Sequence, residues 1–187
     1  MTRLRKIVLA TLVIVVATAA IELWMGRLLW GPDGQFGWLE TDIWSSALSQ
    51  RVVDPYSFSH VIHGLLFYAL FWIVARQRPL GGRFLGAVLL ESGWEVLENT
   101  PFIINRYREV TVSLGYVGDS VLNSLSDILM MAIGFALAVR LTVRWSVAIA
   151  VILELGMLAV YRDNLTLNII MLLYPSEAIR TWQMNGL

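Results

Sequence analysis

The sequence predicts an all-α, polytopic membrane bundle, on three observations. Hydrophobic residues make up 57% of the 187 and charged residues only 15%, against roughly 45–50% and 25% in soluble domains. The mean hydropathy is +0.66. Several uninterrupted apolar stretches approach the roughly 20 residues that a membrane-spanning helix needs. The same numbers exclude a disordered chain. The absence of cysteine excludes a disulfide-stapled secreted domain. A formal net charge of zero, from 14 basic and 14 acidic residues, excludes a nucleic-acid binder that works through a basic surface.

Five spans follow in order, within a single integral membrane domain over 1–187. The first covers about 7–30 and opens after Arg3, Arg5 and Lys6. It is too long for a cleaved signal peptide, carries Glu22 and lacks a small-residue cleavage site. The second, about 58–75, stops at the basic turn from Arg76 to Arg83. The third is about 84–104, and a polar segment from Asn105 to Gly118 follows it. The fourth is about 119–139, closed by Arg140 and Arg144, and the fifth about 145–161. Leu165 to Tyr174, about ten residues, is too short to cross. It is expected as an interfacial or re-entrant helix ended by Pro175, within a C-terminal outer segment 162–187. An outer loop, 31–57, is the longest connection.

Charge distribution orients these spans. With the N-terminus cytoplasmic, the cytoplasmic segments hold eight basic residues (Arg3, Arg5, Lys6, Arg76, Arg78, Arg83, Arg140, Arg144) and no acid. The bias of Lys and Arg toward the cytoplasm then puts the N-terminus inside and the C-terminus outside. Trp24, Trp30, Trp38, Trp44, Trp72 and Trp145, near span ends or in the outer loop, form an interfacial aromatic belt. Gly86, Gly93, Gly134 and Gly156 are expected where helices approach closely.

Acids inside spans carry the functional signal, because a carboxylate in hydrocarbon costs several kcal/mol unless it faces a partner. Glu91, Glu95 and Glu98 fall at i, i+4 and i+7 on one helical face, with Asn99 adjoining. Asp119, Asn123 and Asp127, at i, i+4 and i+8, likewise share a face in the fourth span. His60 and His63, the only two histidines, sit at i and i+3 in the second, preceded by Asp54. At ~1.5 Å per residue, the three polar faces lie at matching depth in the outer half of the bundle. Glu22 and Glu154 stand apart from them.

Two histidines and several carboxylates suit a divalent metal such as Zn, Mn or Fe, with His60, His63, Glu95 and Glu98 as ligands. They equally suit metal-free acid/base work by His60, His63, Glu95, Glu98, Asp119 and Asp127. Glu91, Asn99 and Asn123 would help bind substrate, and Arg106 and Arg108 would anchor a phosphate head group at the outer mouth. Neither the spacing of zinc proteases nor that of di-iron bundles is present. The expected partners are the lipid bilayer and a lipid-linked substrate. The reading is a membrane-embedded enzyme opening to the outer leaflet and acting on a lipid or lipid-linked head group by hydrolysis or transfer. A proton-relay or transport protein and a non-catalytic accessory subunit are the alternatives. Polar groups confined to one side, and no inverted repeat, favour the enzyme over the transporter.

The run His60-Val-Ile-His63-Gly64, then Glu91-Ser-Gly-Trp94-Glu95-Val-Leu-Glu98-Asn99, then Gly118-Asp119-Ser120-Val-Leu-Asn123-Ser-Leu-Ser-Asp127 resembles the alphaproteobacterial integral membrane proteins of the domain of unknown function 2585 family. The resemblance covers nearly the whole chain and implies a multi-pass inner-membrane protein without implying a reaction. A looser likeness is to VanZ-like membrane proteins. Asp54, a histidine-bearing span, Glu95 with Glu98, Arg106, Asp119, Asn123 and Gly134 occur here in the order those proteins show. Glu98 stands where they have glutamine, and no lysine follows Asp54. That likeness implies work on envelope lipids or cell-wall precursors.

Overall fold

The computed structural model describes residues 2–31 and 33–185. Met1, Pro32, Gly186 and Leu187, which fall in the expected N-terminal segment, outer loop and C-terminal segment, lie outside the described residues. The described chain is all helical: α1 (Arg3–Trp24), α2 (Ser57–Val74), α3 (Leu80–Glu98), α4 (Pro101–Val110), α5 (Val121–Arg140), α6 (Val143–Tyr161), α7 (Leu165–Leu173) and α8 (Glu177–Met184). Among the described residues the one piece of extended pairing is an isolated bridge between Leu39 and Val53.

Four helices, α1, α2, α5 and α6, are long and apolar enough to cross a membrane. Five spans were expected, and the difference is α3. It has 19 residues, which at ~1.5 Å each is a comparable length, and it packs against α1, α2 and α5. Arg83, Glu91, Glu95 and Glu98 make it too charged to count as apolar. α3 also ends six residues before the expected 104, because Pro101 cannot continue a helix. Instead Thr100 caps a new one, its Oγ1 accepting from Ile103 N at 3.4 Å, and α4 forms where a polar loop was expected. The first span likewise ends at Trp24 rather than about 30, closed at Met25 and by Gly26 in the left-handed region (φ 85°). α7 matches the expected short helix, and α8 was not foreseen.

α5 forms the centre and packs most extensively against α2. Ala87, Val88, Ile128, Met131 and Phe135 make the apolar core between α3 and α5, with Phe71, Phe84 and Tyr68 closing it. α1 and α6 bury little. Thr18 and Glu22 are the buried residues of α1, and Met157 is that of α6. Ile14 and Val15 of α1 pack against the core, while many of the other apolar side chains of both helices are exposed, as a lipid-facing helix requires. Trp24, Trp30, Trp38, Trp44, Trp72 and Trp145 are all exposed.

The close approach of α2 and α5 depends on glycine. A Cβ at Gly64 would fall on the Met131 carbonyl oxygen, and one at Gly134 on the Val61 carbonyl oxygen. Gly86 faces the Phe71 ring. Gly93 and Gly156, also expected at crossings, have open space around them, so small size is not required there. Gly64 was the missed position. It is hidden in sequence because the contact is made by a partner helix about 70 residues away.

Opposite the short turns at 75–79 and 141–142, the connections assemble into a cap. Val121 N and Leu122 N donate to the carbonyls of Leu28 and Leu29, and Ser120 N donates to Ser49 O. Gln50 Nε2 donates to Gly118 O at 2.7 Å. The outer loop is therefore tied to the start of α5. Gly134→Leu should separate α2 from α5 and cost on the order of 1–3 kcal/mol through overpacking, read as a lowered Tm in detergent. Gly156→Leu, in open space, should leave Tm unchanged.

Candidate functional site

α2, α3 and α5 bring their polar faces together beneath this cap. Glu91 is fully buried and meets both histidines. His60 Nδ1 lies 2.5 Å from its Oε1, and His63 Nδ1 lies 3.1 Å from its Oε2. The i, i+3 spacing puts the two imidazoles on one face of α2, where they meet edge to face with ring centroids 5.0 Å apart. His60 also lies 3.4 Å from Glu95 Oε1 through Nδ1 and 3.7 Å from Asp127 Oδ2 through Nε2. Asp127 Oδ1 accepts from Ser57 Oγ at 2.8 Å.

Ser57 extends the network to Asp54, a buried residue that caps the start of α2. The Asp54 carboxylate accepts from Ser57 N at 3.1 Å, Tyr56 N at 2.7 Å and Ser49 N at 3.1 Å. Burial nevertheless raises its pKa above the ordinary carboxylate value. At the other edge, Asn99 at the end of α3 donates through Nδ2 to Asp119 Oδ2 at 3.3 Å and Ser124 Oγ at 3.2 Å. Its Oδ1 accepts from Asp119 N at 2.8 Å. Tyr116 OH donates to both Asp119 oxygens, at 2.9 and 3.0 Å. Asp119 precedes the first turn of α5, and burial pushes it up to about 7.

These groups line a cavity of about 360 Å³. His60, His63, Glu98, Asp119, Asn123 and Asp127 supply its polar side. Leu66 and Phe67 of α2, Leu90 and Trp94 of α3, and Leu165, Ile169 and Leu172 of α7 supply an apolar side. Glu91 and Glu95 lie just behind the lining. Tyr56, Tyr107, Tyr116 and Asn168 also line the cavity and were not anticipated. The tyrosines stand in loops or in α4, where no periodic signal marks them. Asn123 lines the wall while donating to Arg51 O at 3.0 Å.

Arg106 and Arg108 stand outside the lining. Arg106 donates through Nε and Nη2 to Leu172 O, both at 3.0 Å, and so fastens α4 to the end of α7. Arg108 donates to Tyr116 O. The two isolated acids differ in setting. Glu154 accepts from Leu165 N at 3.1 Å and Thr166 N at 3.2 Å, capping α7 from α6. Glu22 is fully buried, and among the described residues neither of its oxygens has a hydrogen-bond partner.

Two groups have donor atoms close enough to share a cation: His60, His63 and Glu91, and Glu95, Glu98 and Asp119. The four ligands expected from sequence are thus divided between two clusters rather than gathered in one. Chemically, the first group couples a base to a buried carboxylate, and the second concentrates oxygen donors at the cavity wall.

Asp163 lies in the cap and was not singled out in sequence. It is buried and accepts from Tyr56 OH at 2.8 Å, Gln183 Nε2 at 3.0 Å and Asn168 Nδ2 at 3.1 Å. It thereby joins the entry to α2 with α7 and α8.

A family model described as protein of unknown function (DUF2585) matches residues 22–185. A UPF0314 protein of Sinorhizobium fredii is 51% identical over 159 residues, covering 85% of this chain and 81% of its own length. One from Paracoccus denitrificans is 49% identical over 174 residues, covering 93% and 90%. One from Sphingopyxis alaskensis is 47% identical over 175 residues, covering 92% of each chain. No solved structure matches.

Asp163→Ala should remove the acceptor of three side-chain donors and of Asn164 N and lower stability by about 1–3 kcal/mol. Limited proteolysis should then cut between α6 and α7, a junction that stays protected in the wild-type protein.

Proposed function

The chain belongs to the DUF2585 family, and we propose that it is an inner-membrane enzyme acting on a lipid or lipid-linked head group of the envelope by hydrolysis or transfer. The observation that carries this reading is the cavity, about 360 Å³ with a His/Glu/Asp side facing an apolar side of leucines, Phe67 and Trp94. Such a two-faced cleft suits an amphiphile whose polar end reacts while its chain stays in apolar surroundings. The eight basic residues at the α1 start and the two short turns support a cytoplasmic N-terminus, a periplasmic C-terminus and a cavity opening to the outer leaflet.

His60 is the general base of this reading. A proton on Nδ1 donates to Glu91 at 2.5 Å, which leaves the Nε2 lone pair to take a proton from water or an acceptor hydroxyl. The Glu91 carboxylate then stabilises the imidazolium that forms, and His63 holds Glu91 from its other side. Asp127, 3.7 Å from Nε2, orients the nucleophile. Arg106 and Arg108 keep N–H donors beyond their carbonyl contacts and serve as the head-group anchors of this reading.

The test is turnover by the purified protein in proteoliposomes supplied with a polyisoprenyl diphosphate or with phosphatidylglycerol, with head-group release followed by mass spectrometry. His60→Ala and Glu91→Gln should each slow release by about 10²–10⁴-fold, the contribution of a positioned base. Equal rates in wild type and His60→Ala would reject the assignment. Dissipation of a pH gradient with no lipid turnover would favour a proton relay instead.

A further inference from the structure

Buried charge around the cavity is far out of balance. Asp54, Glu91, Glu95, Glu98, Asp119 and Asp127 share one site, and among the described residues no Lys or Arg pairs with any of them. Both imidazoles turn Nδ1 to Glu91. Glu91 is thereby satisfied. Glu95 is not: it is 1% exposed, and neither carboxylate oxygen has a hydrogen-bond partner among the described residues. A carboxylate so placed costs several kcal/mol unless a proton or a cation matches it, and its nearest nitrogen, His60 Nδ1 at 3.4 Å, is already turned to Glu91. One of the Glu95 oxygens belongs to a set with Glu98 and Asp119 whose members all lie within 4.8 Å of one another. A point equidistant from three atoms at that spacing is within about 2.8 Å of each, close to the ~2.3–2.6 Å of calcium–oxygen bonds.

We propose that Glu95, Glu98 and Asp119 bind a divalent cation of the hard, oxygen-preferring class, such as Mg²⁺, Mn²⁺ or Ca²⁺. The donor set is all carboxylate, which selects against the softer ions that imidazole favours. Asn99 and Tyr116 hold the Asp119 carboxylate from behind, the outer-shell support that a metal ligand needs. Glu98 and Asp119 line the cavity, so an ion there is reached from the cavity and sits beside the His60–Glu91 pair. Resting on the reading of the site as a head-group hydrolase or transferase, the cation would neutralise phosphate oxygens while His60 moves the proton. The structure thus divides labour between an oxygen cluster for the ion and an imidazole cluster for the base.

The experiment titrates the purified full-length protein in detergent micelles with MnCl₂, following free Mn²⁺ by electron paramagnetic resonance. Wild type should bind about one Mn²⁺ per chain, and Glu95→Gln and Glu98→Gln should each weaken binding by about tenfold or more through loss of a charged ligand. His63→Ala should leave the Mn²⁺ affinity within about twofold, since the oxygen cluster does not include it. Mn²⁺ should raise the Tm of wild type but not of Glu98→Gln. If Glu95→Gln fails to fold, Glu98→Gln, half-buried at the cavity wall, carries the test. No binding at millimolar MnCl₂, or binding lost in His63→Ala and kept in Glu98→Gln, overturns the proposal. Mn²⁺ binding is read without any lipid. Binding with no head-group release defeats the enzymatic reading alone, and release without Mn²⁺ binding defeats the cation alone.

Discussion

Glu91 accepts from both histidines of the chain, and this bridge sets the relative height of α2 and α3. The carboxylate is fully buried, so the imidazoles must reach it or leave it without partners. Once His60 is held there, its opposite edge points at Asp127 on α5, and Ser57 connects Asp127 back to Asp54 at the start of α2. Three helices are thus registered by polar contacts in the same layer, while the glycine crossing of α2 on α5 and the Met131–Phe135 core register them from the apolar side. Polar and apolar constraints agree on a single arrangement, as expected of a sequence whose local and global preferences are consistent.

The cap over one end of these helices is built on a different principle. It contains short helices and loops joined mainly by side chains that donate to backbone carbonyls: Gln50 to Gly118, Arg27 to Val117, Arg106 to Leu172 and Arg108 to Tyr116. Each such bond satisfies a carbonyl that regular structure leaves open. The result is a roof that closes the cavity above the acids without placing a counter-charge inside it. The cavity therefore keeps a surplus of carboxylates, and that surplus makes it a candidate for chemistry rather than for structure alone.

The legibility of the sequence followed the range of the interactions. The apolar periods located α1, α2, α5 and α6 to within a few residues at most ends, because crossing length and hydropathy are local properties. The i, i+4 spacing put Glu91 and Glu95 on one face and His60 beside His63, also from local geometry. The same reasoning overran at the end of α3, where apolar Phe102 to Ile104 continued the hydropathy signal past a Pro101 break. It gave α4 no helix because polar Asn105, Arg106 and Arg108 masked an amphipathic pattern. Glu154, which stands apart from the acid cluster in sequence, is the cap of α7, a role set by a helix start eleven residues later.

By itself, the sequence determined that the chain is a helical membrane bundle, that the stretches of α1, α2, α5 and α6 are apolar enough to cross, and that histidines and acids fall on three helical faces. Only the tertiary structure decided which of those groups meet. His60 and His63 chose Glu91 rather than Glu95 or Glu98, the two arginines turned to backbone carbonyls, and Tyr56, Tyr107 and Tyr116 entered the cavity wall. The reason is physical. Helical period fixes where a side chain points around its own axis, whereas the partner it reaches depends on how far neighbouring helices slide and approach. Here that is set by Gly64, Gly134 and the loops that tie α1, α5 and α7 together.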